Sequence, residues 1–146
     1  MKFETVYKKQ DHSIGIALYH IEFCTKYRFR MFSKTEYKNL IHACIKRACI
    51  EHSIEILALN VMPEHVHLIV KVKISFSVEK LVRVIKGYSA YLFFRRHPKA
   101  RLRYPQGHLW SRGKFIATLG MTDLNFAIDY VLHQEEKHSS SLIGNR

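Results

Sequence analysis

The segment His65-Val66-His67 places two histidines two positions apart within an apolar, β-branched run over residues 65–72. Alternate side chains of a β-strand share a face, so both imidazoles would project from one face about 7 Å apart along the strand. Two neutral imidazoles at this spacing can converge on one divalent metal ion. Ordinary surface or hydrogen-bonded histidines produce the same short pattern more often. The pair is therefore a candidate metal site that needs support from a second element.

A second group of reactive side chains lies near the C-terminus. Tyr130, Gln134 and His138 are spaced four residues apart, which places them on one face of a helix. Such a face could present a nucleophile and a ligand together. Because a phenol with a pKa of about 10 is only about one part in a thousand ionised at pH 7, a nearby cation or base must activate Tyr130. The alternative is a core tyrosine whose hydroxyl reaches solvent.

Positive charge dominates the composition, with 24 Lys and Arg against 12 Asp and Glu and a formal net charge of +12 with neutral histidines. This balance favours a polyanionic partner such as nucleic acid. The candidate phosphate contacts are Lys26, Arg28, Arg30, Arg83, Lys86 and Arg112, with further arginines at 95, 96, 101 and 103. Trp110 and Tyr104 are candidates for stacking on bases. Solvated surface charges and core aromatics are the alternatives.

The elements that must position these residues follow from periodicity and from helix-breaking residues. Strand patterns cover residues 13–25, 54–62 and 65–72, and a further strand is expected around 115–118. Helical spacing of apolar residues covers 33–52, 77–96 and 122–137, and Ser33, Ser77 and Thr122 are the predicted N-caps. The order is strand, helix, strand, strand, helix, strand, helix.

This order predicts an α+β, ferredoxin-like (RRM-like) split βαβ fold with an antiparallel sheet and an appended C-terminal helix that carries Tyr130. A chain of 146 residues that is 47% apolar fits one domain, 1–146, with its core over about 13–137. The aliphatic side chains at 66, 68, 70 and 72 should face the helices. The two histidines, Ile69 and Lys71 are then expected on an open face of the sheet.

Several classes of protein do not fit the sequence. The apolar stretches are far shorter than the roughly 20 residues of a membrane span, and residues 1–10 lack the apolar run of a secretory signal. Cys24, Cys44 and Cys49 contain no CxxC pair, so we expect reduced thiols rather than zinc ligands. We therefore expect an intracellular, cytoplasmic protein without membrane contact.

Four short signatures occur in a fixed order: Thr25-Lys-Tyr-Arg28, Val61-Met-Pro-Glu-His-Val-His-Leu68, Leu109-Trp-Ser-Arg112 and Tyr130-Val-Leu-His-Gln134. Together they resemble the signatures of the single-tyrosine transposases of the HUH endonuclease superfamily, TnpA-type enzymes that move insertion sequences as single-stranded DNA. The hydrophobic Val66 between two histidines fits the motif that names the superfamily. The resemblance covers roughly residues 13–137.

The resemblance implies a role for each matching residue. His65, His67 and Gln134 would be the ligands of Mg²⁺ or Mn²⁺, and Tyr130 would attack the DNA. Such an ion leaves positions open for the oxygens of the scissile phosphate and neutralises their charge. Attack by Tyr130 would give a 5′-phosphotyrosine bond and a free 3′-hydroxyl, and attack by another 3′-hydroxyl would rejoin the DNA. The implied activity is transposition, by metal-dependent cleavage and strand transfer at hairpin-marked ends of single-stranded DNA.

The resemblance also implies a homodimer with composite active sites, in which the tyrosine helix of one subunit completes the histidine site of the other. Family members reach this arrangement through a glycine-containing hinge, where this chain has a single glycine, Gly120, instead of a pair. From the sequence, assembly in cis and in trans both remain open.

Two other functions fit the same fold. A non-catalytic ferredoxin-like module would bind RNA or DNA by stacking bases on exposed strand aromatics, whereas the strand here offers His65, His67 and Ile69. A related HUH enzyme would use the same chemistry, either as a replication initiator or as a domesticated transposase acting on genomic repeats.

Overall fold

The computed structural model describes residues 15–134. It contains four strands, β1 (Ile16–Cys24), β2 (Glu55–Val61), β3 (His65–Lys73) and β4 (Phe115–Thr118). Its α-helices are α1 (Thr35–Glu51), α2 (Val78–Arg96) and α3 (Leu124–Leu132). Short 3₁₀ turns at Lys26–Arg28, Pro98–Leu102 and Met121–Asp123 connect these elements. The order of strands and α-helices is the predicted one.

The strands form one antiparallel sheet in the order β2-β3-β1-β4. The predicted α+β, ferredoxin-like arrangement is confirmed. The two central strands, β1 and β3, pair so that Cys24 lies opposite His65 and Glu22 lies opposite His67. Cross-strand neighbours lie close enough for their side chains to interact. Residues of β1 therefore contribute to the surroundings of both histidines.

One face of the sheet packs against α1 and α2, as the alternation in β3 predicts. Val66, Leu68, Val70 and Val72 are buried in the main core. The helices contribute Ile41, Ile45, Leu81, Ile85 and Phe93 to the same core. Since burying one large aliphatic side chain stabilises a fold by about 1.5–3 kcal/mol, these residues hold β3 firmly in place.

The other face of the sheet is not open, and that prediction is wrong. Helix α3 lies across it, and Leu124, Ala127 and Val131 form a second apolar cluster that includes Ile69 of β3. These helical residues are spaced by three and four, which gives α3 an apolar stripe that must be buried. As a result His67 is only 3% exposed.

One of the three predicted N-cap residues caps its helix in the structure. Ser77 Oγ accepts a hydrogen bond from the Lys80 backbone N–H at 3.1 Å, which confirms this cap. Helix α1 has Lys34 in the cap position without a side-chain hydrogen bond, so Ser33 does not cap it. Helix α3 follows a 3₁₀ turn that contains Thr122, so Thr122 does not cap it either. His138 and the predicted last turn of this helix lie outside the described residues.

The cysteines are free thiols, as predicted. Burial raises the pKa of Cys44 to about 11 and that of Cys49 to about 12, so both remain protonated and unreactive at neutral pH.

None of the helices within residues 15–134 combines the length and hydrophobicity that a bilayer crossing requires.

Candidate active site

Strand β3 places the imidazole rings of the two predicted histidines, His65 and His67, in direct contact. The Nε2 atoms of His65 and His67 are 3.0 Å apart. Ligands on adjacent corners of an octahedral ion, with bonds of about 2.1 Å, are separated by about 3.0 Å. The same distance fits a hydrogen bond between one Nε2–H and the other Nε2. The pair therefore has the spacing for one octahedral ion or for one shared proton.

Carboxylates lie behind both imidazoles. His65 Nδ1 is 2.6 Å from Glu64 Oε1, and His67 Nδ1 is 3.4 Å from Glu22 Oε2. A carboxylate on the outer nitrogen fixes the ring orientation and tautomer of a metal-binding histidine. Neither carboxylate was predicted from the sequence to lie beside a histidine of the pair. Glu64 lies inside a recognised signature, and its place directly before His65 was the available signal.

Burial controls the charge of these groups. Burial lowers the pKa of His67 to about 4, and the neighbouring His65 and His20 add to this effect. Burial by itself would raise the pKa of Glu64, but the hydrogen bond and charge of His65 hold it below its ordinary value. At neutral pH, Glu64 is therefore an anion and His67 is neutral, as a metal ligand must be.

Strand β1 adds His20 and Glu22 to this face. His20 Nε2 is 3.7 Å from Glu22 Oε2, and the ring centroids of His20 and His67 are 5.7 Å apart. One ligand atom from each of His20, Glu22 and His67 lies within 4.8 Å of the others. His20 and Glu22 could be recognised only by combining the alternation in β1 with its register against β3.

Helix α3 places Tyr130 over the same face of its own chain. The rings of Tyr130 and His20 meet edge to face, with centroids 6.4 Å apart. The side chain of Asn60 on β2 donates a hydrogen bond to the Val131 carbonyl at 3.0 Å, which fixes the helix on the sheet. Gln134 follows Tyr130 by about one turn. Its buried Oε1 has no hydrogen-bond partner within residues 15–134, so this atom forms no hydrogen bond with the histidine pair.

Two cavities share Arg28 in their linings, and His65 lines the first of them. The first, of about 340 Å³, is bounded by Glu22, His65, Lys114 and Phe115. The second, of about 620 Å³, has a strongly basic lining that includes Arg30, Lys34, Lys99 and Arg103. The basic residues that line these two cavities are called here the basic groove: Arg28, Arg30, Lys34, Lys99, Arg103 and Lys114.

The other predicted DNA contacts lie elsewhere. Lys86 donates a hydrogen bond to the Ser111 carbonyl at 2.6 Å, and burial lowers its pKa. Lys86 and Arg112 line another cavity of about 430 Å³. Arg83 is exposed on α2, in the helical layer behind the sheet, and Lys26 lies over the ring of Tyr27.

The predicted base-stacking residues are not available for stacking. Tyr104 is 2% exposed and Trp110 is 7% exposed, and both belong to the main core. Trp110 also donates a hydrogen bond to Ser89 Oγ at 3.1 Å. Phe115 is half exposed beside His20 and was not predicted, because an aromatic residue in a short strand usually reads as core.

A ferredoxin-like sheet with a histidine pair under a tyrosine-bearing helix defines an HUH-type domain. The family model described as "Transposase IS200 like" matches residues 15–134, and the chain belongs to this family of DNA-cleaving, strand-transferring enzymes. It is 25% identical over 119 residues to the ISDra2 transposase TnpA of Deinococcus radiodurans, which covers 82% of this chain and 84% of that protein. The resemblance identified from the four signatures is confirmed.

Solved structures of transposases share the fold. A crystal structure of a transposase from Deinococcus radiodurans aligns with a TM-score of 0.69 at 21% identity, over 93% of this chain and 95% of that one. A REP-associated tyrosine transposase bound to a REP hairpin aligns with a TM-score of 0.62 at 18% identity, over 84% of this chain and 68% of that one.

Proposed function

We propose that this transposase cleaves and rejoins single-stranded DNA through a covalent bond between Tyr130 and a 5′-phosphate. The observation that carries the proposal is the convergence of His65 and His67, with Nε2 atoms 3.0 Å apart, on the face that α3 covers with Tyr130. Tyr130 contacts His20, which in turn contacts His67, so the proposed nucleophile and ligand pair share one face, as metal-assisted phosphoryl transfer requires.

The residues present fit a hard divalent cation, Mg²⁺ or Mn²⁺. His65 and His67 would supply neutral nitrogen ligands, each backed by a carboxylate on its other nitrogen. Gln134 would supply an amide oxygen, and its buried Oε1 lacks a hydrogen-bond partner among the described residues. When bound, the ion would neutralise the charge of the scissile phosphate and polarise its oxygens.

The reaction balances without a nucleotide cofactor. The Tyr130 hydroxyl oxygen attacks the scissile phosphorus, the bond from phosphorus to the 3′-oxygen breaks, and the tyrosine proton passes to solvent as the leaving oxygen gains one. A 3′-hydroxyl from a second strand then attacks the phosphotyrosine and restores the Tyr130 hydroxyl. One phosphodiester is exchanged for another, so the covalent intermediate conserves the bond energy.

The basic groove supports single-stranded DNA as the substrate. Arg28 and Arg30 begin a row of cations that leads from the His65 cavity, and phosphates of a flexible strand would follow it. We extend the proposal to element ends marked by hairpins, since one structural neighbour is a transposase bound to a REP hairpin. We also propose that the protein acts in the cytoplasm, where such DNA is exposed.

Covalent capture tests this proposal. The protein is incubated with a library of single-stranded hairpin oligonucleotides and Mg²⁺ or Mn²⁺, and adducts are resolved on a denaturing gel. We expect a DNA adduct that maps to Tyr130, disappears with EDTA and is abolished in Tyr130→Phe, while hairpin binding stays within about a few-fold of the parent because only the nucleophilic oxygen is lost.

The matched control is Tyr91→Phe, which alters an exposed tyrosine on α2 and should leave the adduct intact. An adduct that survives in Tyr130→Phe would refute the assignment of the nucleophile. Hairpin binding without any adduct would instead favour the non-catalytic binding module.

A further inference from the structure

Three side chains of β1 and β3 form a group on the far side of His67 from His65. Glu22 lies opposite His67 in the sheet register, and His20 lies on the same face of β1 two residues earlier. Glu22 Oε2 is 3.4 Å from His67 Nδ1 and 3.7 Å from His20 Nε2. The cluster is partly buried, since His67 is only 3% exposed while the side chains of His20 and Glu22 are 13% and 34% exposed.

The hydrogen bonds of His65 determine which nitrogen of His67 carries its proton. An ionised carboxylate only accepts hydrogen bonds, so the 2.6 Å contact with Glu64 requires a proton on His65 Nδ1. With its proton on Nδ1 and a lone pair on Nε2, His65 can accept a hydrogen bond from His67 Nε2–H across the 3.0 Å that separates the two Nε2 atoms. The lone pair of a neutral His67 therefore lies on Nδ1 and is directed towards Glu22.

A lone pair that faces a carboxylate is repulsive unless a cation lies between them. Within residues 15–134, neither His67 Nδ1 nor His20 Nε2 has a hydrogen-bond partner, although both atoms are buried. Ligands on a tetrahedral ion with bonds of about 2.1 Å lie about 3.4 Å apart, close to the spacing around Glu22. Two imidazoles and one carboxylate are also a common ligand set for Zn²⁺.

We propose that His20 Nε2, a Glu22 carboxylate oxygen and His67 Nδ1 bind a transition-metal ion of the Zn²⁺ class, and that this ion inhibits the transposase. Neutral His67 has one lone pair. An ion on Nδ1 leaves Nε2 protonated, and a protonated Nε2 cannot join His65 in holding the catalytic ion. Glu22 also lines the cavity of about 340 Å³ beside His65, which gives the ion a route to the site.

The inhibitory effect rests on the proposed function, whereas binding of the ion to these three residues does not. The two sites are mutually exclusive because they share His67. With a catalytic ion held by the Nε2 pair, the proton of His67 would lie on Nδ1 and face Glu22. Glu22 thus stabilises either state, by binding the inhibitory ion or by orienting His67 towards the catalytic one.

Binding is tested with Co²⁺, which substitutes for Zn²⁺ and absorbs strongly in visible light when tetrahedral. We expect the full chain to bind one Co²⁺ with such a band, which Zn²⁺ displaces. His20→Ala and Glu22→Gln should weaken Co²⁺ binding about 10- to 100-fold and lose the band. His65→Ala should retain both, because it removes only the Nε2 pair. His108→Ala, which removes an exposed histidine elsewhere, should bind like the wild type.

Circular dichroism must first establish that each variant is folded. If His20→Ala does not fold, the nearly isosteric Glu22→Gln provides a second test. Wild-type Co²⁺ binding in folded His20→Ala or Glu22→Gln would overturn the proposal. Loss of the band in His65→Ala would overturn it too, since it would place the ion on the Nε2 pair.

Inhibition is tested in the Mn²⁺-dependent cleavage reaction. Each protein is measured against its own zinc-free rate while Zn²⁺ is added. His20→Ala should require at least about 10-fold more Zn²⁺ than the wild type for the same fractional inhibition. Equal sensitivity would refute the inhibitory role. A protein that binds Co²⁺ at this site but never cleaves DNA would refute the proposed function and leave the metal site standing.

Discussion

Glu64 controls what His65 can do, because its carboxylate accepts the Nδ1 proton at 2.6 Å and leaves Nε2 with a lone pair. We expect Glu64→Ala to weaken Mn²⁺ binding by about 10- to 100-fold, since the ring loses the partner that sets its tautomer and orientation. Titration followed by electron paramagnetic resonance measures the free Mn²⁺. Glu55→Ala is the matched control, because Glu55 pairs with Lys71 away from the site. Equal affinities for the two variants would contradict this role of Glu64.

Strand alternation and helical spacing made His65, His67 and Tyr130 candidates, and the resemblance of the four signatures gave them their predicted roles. His20 and Glu22 were not predicted. Their alternation places them on one face of β1, but their position beside His67 depends on the pairing of β1 with β3. A shift of one residue would turn both side chains to the other face. This register is set by the packing of distant residues, which local patterns do not encode.

Helix α3 is the element that converts a histidine-bearing sheet into a candidate active site. Leu124 is 1% exposed and anchors the start of the helix in the second apolar cluster. Truncation of a buried leucine to alanine costs about 2–5 kcal/mol. We expect Leu124→Ala to accelerate amide hydrogen exchange in α3 while the main-core amides of β3 and α1 keep their protection.

Hydrogen exchange read by mass spectrometry provides this measurement. Leu132→Ala serves as the control on the same helix, since Leu132 is half exposed and should contribute little to docking. Unchanged protection of α3 in Leu124→Ala would show that the apolar cluster does not hold the helix on the sheet.

The sequence predicted that α3 exists, and its spacing of apolar residues predicted a stripe on one face. It did not predict where that stripe packs. Periodicity identifies which side chains need burial, but not the surface that buries them. The face of β3 that carries His67 and Ile69 was therefore expected to be open. The same limit explains the N-caps, because Thr122 falls in a 3₁₀ turn formed by the chain after Gly120.

At the scale of the molecule, the net charge of +12 contributes to DNA binding at the active site only through the positive side chains that lie near it. With six or more phosphate contacts, the affinity for single-stranded DNA should fall by about 300-fold or more between 50 and 200 mM salt. We expect Arg28→Ala to weaken binding and to reduce the slope of log affinity against log salt by about 0.7, because one counterion-releasing contact is lost. Fluorescence anisotropy across a salt series measures both quantities.

Arg47→Ala is the matched control for charge, since it removes one positive charge from α1, where Arg47 pairs with Glu51. The basic groove would be excluded as the DNA path if both variants lost affinity and slope equally. Double-stranded DNA of the same sequence should bind more weakly, because a rigid duplex cannot follow the groove.

The arrangement of the subunits determines whether Tyr130 acts with the histidines of its own chain or with those of a partner chain. In the single chain, α3 packs on its own sheet and follows Gly120 and the 3₁₀ turn Met121–Asp123. We propose a homodimer in which this helix exchanges. A rearrangement of the chain near Gly120 would let α3 make the same apolar contacts on the partner's sheet, as in other exchanges of identical elements.

Mixing two inactive proteins tests the exchange. A heterodimer of His67→Ala and Tyr130→Phe chains holds one intact composite site if the helices exchange, and none if each site forms within one chain. Random pairing of equal amounts should restore about a quarter of the wild-type cleavage per subunit, because half of the dimers are mixed and each of these has one working site. Subunit exchange is verified by a tagged pull-down. Proven exchange without any recovery would assign the active site to a single chain, with α3 docked as it is in the structure.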